Sequence, residues 1–202
     1  MIKRTGYASE MRLHDRAGRR LYINRAERAR ILRVADQSEP HIRALCLTLL
    51  FTGCRISEAL ELRLSSIQNS ECSITFRTLK RRRADVFREV PVPEALLEAL
   101  DQMCVRNEQP DAMLWCETDR ITAYRWIKAI AEDANIIGRQ ACPKGLRHGF
   151  GIHAILCGVP LNLLQKWMGH ASMTTTAIYA NALGAEERQI ASRMWDEKYP
   201  PH

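Results

Sequence analysis

No stretch of the 202 residues is apolar for long enough to cross a bilayer, which excludes a membrane-spanning helix as the organising element. The chain opens on Met-Ile-Lys-Arg-Thr-Gly-Tyr, charge rather than the apolar core of a secretory signal. Its seven cysteines, at 46, 54, 72, 104, 116, 142 and 157, never stand in C-x-x-C spacing, and the count is odd. Most fall in apolar patterns, as Cys46 does in Ala-Leu-Cys-Leu-Thr-Leu-Leu. They are expected to be buried small side chains in a reducing cytoplasm, not a disulfide frame or a zinc site. His148 and His153 are five apart with no third ligand near, so a structural role is expected and no metal is assigned. The aromatic strand motif and Gly-rich loop of the common RNA modules are missing as well.

What the chain has is positive charge. Lys and Arg number 30 against 23 Asp and Glu, a formal charge of +7. That balance suits an anionic partner, most often nucleic acid, although solubility alone also accounts for some of it. Residues 1–20 hold Lys3, Arg4, Arg12, Arg16, Arg19 and Arg20 with weak apolar periodicity, and read as a basic arm. It would lie along a DNA backbone or have no role.

Asn24-Arg-Ala-Glu27 is a helix start, and Pro40 opens a second helix with Ile42, Leu45, Cys46, Leu49 and Leu50 at core spacing. Thr52-Gly53 breaks that helix, and a new one begins near Arg55. Arg55 and Glu58 share a face. A cation in a helix's first turn is disfavoured by the macrodipole, so Arg55 either faces an anion or forms a surface pair with Glu58. Residues 73–79 and 85–92 read as two paired strands. Lys80, Arg81, Arg82 and Arg83 crown the turn between them, a run that is solvated or faces phosphates. Residues 94–106 form an amphipathic helix. Thr122 caps another, on which Arg125 and Lys128 are candidate backbone contacts for DNA.

The last third gathers Lys144, Arg147, His170 and Tyr179. A helix over 146–157 ends at Gly158, the next begins at Pro160 and ends at Gly169, and a third starts at Ser172 or Met173 and carries Tyr179. Fixed cations near a phenol stabilise the phenolate and the charge developing on an attacked phosphorus.

Four places together resemble the tyrosine recombinase (phage integrase) family. Thr52-Gly53-x-Arg55-x-x-Glu58 resembles its first arginine box, and Lys80 at a hairpin resembles its strand lysine. Lys144-x-x-Arg147-His148 resembles the second box. Met168-Gly169-His170, with Tyr179 nine positions on, resembles the third box and the nucleophile. The order and spacing are specific, and the likeness covers roughly residues 21 to 182.

The resemblance implies a mainly α fold with a small antiparallel β-sheet, an α+β catalytic domain over residues 21–183, and a helical tail over 184–202 able to pack on a neighbouring protomer. It implies a site-specific recombinase that attacks double-stranded DNA through Tyr179, forming a 3′-phosphotyrosyl link and freeing a 5′-hydroxyl. Arg55 and Arg147 would hold the non-bridging oxygens, His170 would bond the same phosphate, and Lys80 would protonate the leaving oxygen. Glu58 would brace the cations from behind, and Lys144 would add charge. No metal, cofactor or ATP is implied. The implied setting is a homotetramer on paired sites, in a bacterial cytoplasm at the nucleoid. Two features depart from the family pattern. Lys144 stands where the second box usually has His, and only about 20 residues precede the catalytic region, where members usually carry a core-binding domain. In that the chain resembles short members such as the fimbrial phase-switch invertases, and an accessory DNA-binding protein is a candidate partner. A catalytically weak or inactive DNA-binding accessory protein of the same fold, and a single-site relaxing enzyme of the type IB topoisomerase kind, are the alternatives.

Overall fold

A computed structural model gives the fold and describes residues 12–78, 86–104 and 111–181, with 187, 188, 191 and 192 of the tail. Helix α1 (Arg25–Ala35) starts where the Asn24 side chain accepts from the Glu27 N–H at 2.8 Å and Glu27 accepts from the Asn24 N–H at 2.9 Å. That is the reciprocal cap the spacing predicts. Pro40 begins α2 (Pro40–Thr52), and Gly53 ends it in the left-handed region at φ 60. Arg55 caps the short α3 (Ile56–Leu60).

Helix α2 departs from the one-sided helix expected. Ala44 through Leu50 are all buried, so it runs through the middle of the molecule and touches α1 and α3 and three later helices. Its polar side chains are satisfied internally: Thr48 donates to the Ala44 carbonyl at 2.8 Å and Thr52 to the Thr48 carbonyl at 2.6 Å.

The sheet is antiparallel in the order β1 (Ile67–Gln68), β2 (Ser73–Arg77), β3 (Phe87–Pro91), with Ser73 opposite Pro91 and Arg77 opposite Phe87. Short β1 was not foreseen. Beyond Arg77, the Thr78 N–H donates to the Val86 carbonyl at 2.8 Å. The turn with Lys80, Arg81, Arg82 and Arg83 lies outside the described residues.

Then come α4 (Glu94–Cys104), α5 (Arg120–Asp133), α6 (Pro143–Leu156), α7 (Leu161–Met168) and α8 (Met173–Ala177). A final 3₁₀ turn, Ile178–Asn181, carries Tyr179. The α5 cap is Asp119, not Thr122: its carboxylate accepts from the Thr122 N–H at 2.6 Å, because a cap acceptor must stand before the helix, three residues ahead of the free amide it satisfies.

Two apolar clusters meet at α6. The larger joins α1, α2, α4, α5 and the sheet, and takes Leu146 from α6. The smaller holds Leu13, Tyr22, Leu164, Met168 and Tyr179, and takes Phe150, Ile152, Ala154 and Leu156. Helix α6 contains Gly145, Gly149 and Gly151, each costing about 0.5–1 kcal/mol of helix propensity relative to Ala. Close packing overrides that cost: a Cβ on Gly151 would lie 2.6 Å from the Tyr179 ring.

Residues 12–20, the second half of the expected arm, are folded. His14 pairs with Arg20 as an antiparallel bridge, Asp15 accepts from the Ala17 and Arg19 amides at 2.9 Å, and Leu13 is buried in the smaller cluster. Residues 1–11 lie outside the described residues. The cysteines also correct the expectation. Cys46 and Cys54 are buried, but Cys72, Cys116 and Cys157 are exposed and Cys142 is half-buried, since these four sit at turns and helix ends. Among the described residues, no helix is long and apolar enough to cross a membrane.

Candidate active site

The site forms where α2 ends, α6 begins and the α7–α8 corner folds back. Arg147, one turn into α6, is 7 % exposed, and its guanidinium reaches both sides of the corner. It donates to the Gly53 carbonyl, two residues before Arg55, and to the Met168 carbonyl at 2.8 Å. The first and second boxes, 94 residues apart, are joined by that first bond.

Arg55 is the N-cap of α3, still at the positive end of that helix, and the Glu58 carboxylate at N3 offsets the unfavourable dipole. The Arg55 N–H donates to Glu58 Oε2 at 2.9 Å and its guanidinium to Oε1 at 2.7 Å. Glu58 is buried, and burial alone would raise its pKa. The guanidiniums of Arg88 and Arg55 overcome that and hold the carboxyl below its ordinary value.

Tyr179 is fully enclosed. Its hydroxyl lies 3.1 Å from His148 Nδ1, and its ring is nearly parallel to that of His170, at 11° and 6.3 Å between centroids. His170 Nδ1 is 2.9 Å from the Thr176 hydroxyl on α8. The Nε2 atoms of both histidines are buried without a hydrogen-bond partner among the described residues.

Burial sets the protonation states. It pushes Tyr179 up to about 12 against the pull of Arg147 and Arg55, so the phenol keeps its proton at neutral pH. Burial, then Lys144 and Arg147, bring His148 down to about 4. Burial, then Arg147 and Arg55, bring His170 down to about 3. Burial and the nearby Arg55 lower Arg147 to about 10, so it stays charged at neutral pH.

The charges do not balance. Arg55, Arg88 and Arg147 surround one carboxylate, Glu58, and among the described residues Arg147 bonds only to carbonyls. A buried guanidinium without a bonded anion is costly, so the cup suits a bound anion of one or two charges.

Of the residues singled out in the sequence, Arg55, Glu58, Arg147, His170 and Tyr179 are brought together. Lys144 is exposed in the first turn of α6, close enough for its charge to act on His148. Lys80 lies outside the described residues. On α5, Arg125 is exposed, and Lys128 is half-buried and paired with Glu132 at 3.4 Å. Two members of the cluster were not foreseen. His148 meets the Tyr179 hydroxyl, and Arg88 of β3 is buried against Glu58.

The sequence model of the phage integrase family matches residues 22–186. Tyrosine recombinase XerD of Mycobacterium tuberculosis is 34% identical over 150 residues, 68% of this chain and 46% of the relative. Tyrosine recombinase XerA of Pyrococcus furiosus is 25% identical over 179 residues, 85% of this chain and 60% of the relative. The chain therefore spans about half the length of these curated relatives. A crystal structure of XerA recombinase superposes with a TM-score of 0.74 at 25% identity, covering 90% of this chain and 66% of the other. The catalytic domain of bacteriophage HP1 integrase shares the fold at a TM-score of 0.60 and 22% identity, covering 90% of this chain and 98% of that one. With most of its length inside the family match, the chain belongs to the phage integrase family.

Proposed function

We propose that this chain cuts and rejoins double-stranded DNA at specific sites, with Tyr179 as the nucleophile and a 3′-phosphotyrosyl intermediate. The observation that carries the reading is Arg147: a buried, charged guanidinium bonded, among the described residues, only to carbonyls, beside Arg55 and within electrostatic reach of the Tyr179 phenol. A scissile phosphodiester supplies the missing anion. Arg55 and Arg147 take its non-bridging oxygens, for which forked donors suit. The orphaned Nε2 of His170 gives the same phosphate a further hydrogen bond. Lys80 protonates the departing 5′-oxygen, Glu58 fixes Arg55, and Lys144 adds charge at the rim. Phosphodiester energy stays in the Tyr179 ester, so a second 5′-hydroxyl reseals the strand without ATP.

The enclosed Tyr179 hydroxyl cannot meet a duplex as it stands, so binding has to open the 169–181 segment. Among the structural relatives, XerH is seen bound to a difH substrate and the Tn1549 integrase to transposon right-end DNA. For this chain we propose the same class of partner. Arg81, Arg82, Arg83 and Arg125 would lie on the backbone, and Lys128 would do so after leaving Glu132. We also propose a homotetramer on paired sites, the tail over residues 184–202 reaching a neighbour, and an accessory DNA-binding protein as a further partner.

The test is covalent capture. A randomised duplex pool with a nick near each candidate position is incubated with the protein and run on a denaturing gel. The reading expects a protein–DNA adduct with a free 5′-hydroxyl. Lys144, in place of the usual His, favours the second reading, an accessory DNA-binding protein of the same fold. Under that reading the wild type captures nothing, whereas Lys144→His gains capture.

A further inference from the structure

Arg88 belongs to none of the sequence boxes, yet its side chain bonds to three separate parts of the site. Its Nη2 donates to Glu58 Oε2 at 2.7 Å, its Nε to the Trp167 carbonyl at 2.8 Å, and its Nη1 to the Thr78 hydroxyl at 3.1 Å. The guanidinium also lies 5.1 Å from the centre of the Phe76 ring.

Each partner leads to a group already placed. Glu58 uses its other oxygen to hold the Arg55 guanidinium at 2.7 Å. Trp167 is followed by Met168, whose carbonyl receives Arg147 at 2.8 Å, and then by Gly169 and His170. Thr78 closes the last described rung below the turn that contains Lys80. Gly169 has φ +65, and a Cβ there would lie 3.1 Å from three atoms of the Arg88 guanidinium. The Gly-His corner is therefore shaped on Arg88 as well as on its own backbone.

Packing alone gives no reason for a cation at this point. Apolar side chains of similar volume often replace buried ion networks without loss of stability. The guanidinium supplies donors fixed in one plane and several directions, which neither an apolar group nor an ammonium does.

We propose that Arg88 is a positioning residue: one buried guanidinium sets Arg55 through Glu58, and sets the end of α7 on which Arg147 and His170 depend. The inference rests on the recombinase reading above. Arg88 touches no reacting atom. It fixes the spacing of the two phosphate-binding guanidiniums, and a misplacement of about 1 Å in such a site costs on the order of 100-fold in rate.

The test uses the duplex that the wild-type chain captures covalently from the randomised pool. Cleavage is measured in a single turnover at saturating protein, and duplex affinity separately, for Arg88→Met and Arg88→Lys. Positioning predicts a cleavage rate lower by about 100-fold in Arg88→Met, with duplex Kd changed by less than about threefold. Arg88→Lys keeps the charge and loses the fork, and is expected to cleave about tenfold more slowly than the wild type. If Arg88→Met does not fold, Arg88→Lys decides alone. Wild-type cleavage by the folded Arg88→Lys chain overturns the inference, as does a loss that lies wholly in Kd. Absence of any adduct from the wild type overturns the recombinase reading and this inference with it, a different and recognisable result.

Discussion

The Tyr179 hydroxyl lies 3.1 Å from Nδ1 of His148, a residue 31 positions earlier and one past the second-box arginine. With burial holding His148 near 4, the imidazole is neutral, and its Nδ1 can accept a hydrogen bond from the Tyr179 hydroxyl. The contact holds the Tyr179 ring in its enclosed position and ties the final turn to α6.

That contact and the ring stacking depend on Gly151. Gly151→Ala places a Cβ 2.6 Å from the Tyr179 ring, where neither α6 nor the buried phenol has room to move. The expected loss is about 1–3 kcal/mol of folding stability, read from urea unfolding, with weaker covalent capture than wild type. Unchanged stability would mean that the ring is more mobile than its burial implies.

Glu58 is the only carboxylate among the described residues bonded to both Arg55 and Arg88. Glu58→Ala leaves those guanidiniums facing each other, and should cost about 3–5 kcal/mol of stability. Its folded-state pKa is depressed below the ordinary 4.5, so its contribution is present above that value and is lost only as the pH falls beneath it. Urea unfolding midpoints of wild type and Glu58→Gln should therefore draw together as the pH falls below 4.5.

The histidines act in a higher window. The folded chain resists protonating His148 and His170, held at about 4 and about 3, whereas the unfolded chain accepts those protons from 6.5 downward. Their stabilisation is complete above 6.5 and falls away as the pH drops. The slope approaches about 1.4 kcal/mol per pH unit for each histidine. Unfolding at about pH 7.5, 6 and 5 should show this decline, and His148→Asn should make it shallower. A flat profile across that range would contradict the burial of both rings.

The boxes were legible because their spacing reports chemistry. Arg55, Glu58, Arg147, His170 and Tyr179 are polar groups that no core pattern explains, and the structure brings them together. Helix starts were legible where a cap names them, as at Asn24 and Pro40. Arg88 was missed although β3 carried the signal. It stands two positions before the buried Val90, on the same face of the strand, but a charged side chain there reads as solvated until its partners are known. His148 reads as structural in the sequence because helical spacing gives no hint that the chain returns 31 residues later with a phenol. The central position of α2 was hidden by its threonines, whose hydroxyls bond back to the helix and allow burial on all sides.

The most direct test of the central claim is covalent capture by wild type and Tyr179→Phe, side by side on the selected nicked duplex, with duplex binding measured for both. The wild type should give an adduct joined through the DNA 3′ end and peptide-mapped to Tyr179. Tyr179→Phe should give none while binding within about threefold of wild type, since only the hydroxyl is removed. An adduct that persists in Tyr179→Phe, or one joined through the 5′ end, would contradict the assignment of this phenol as the attacking group.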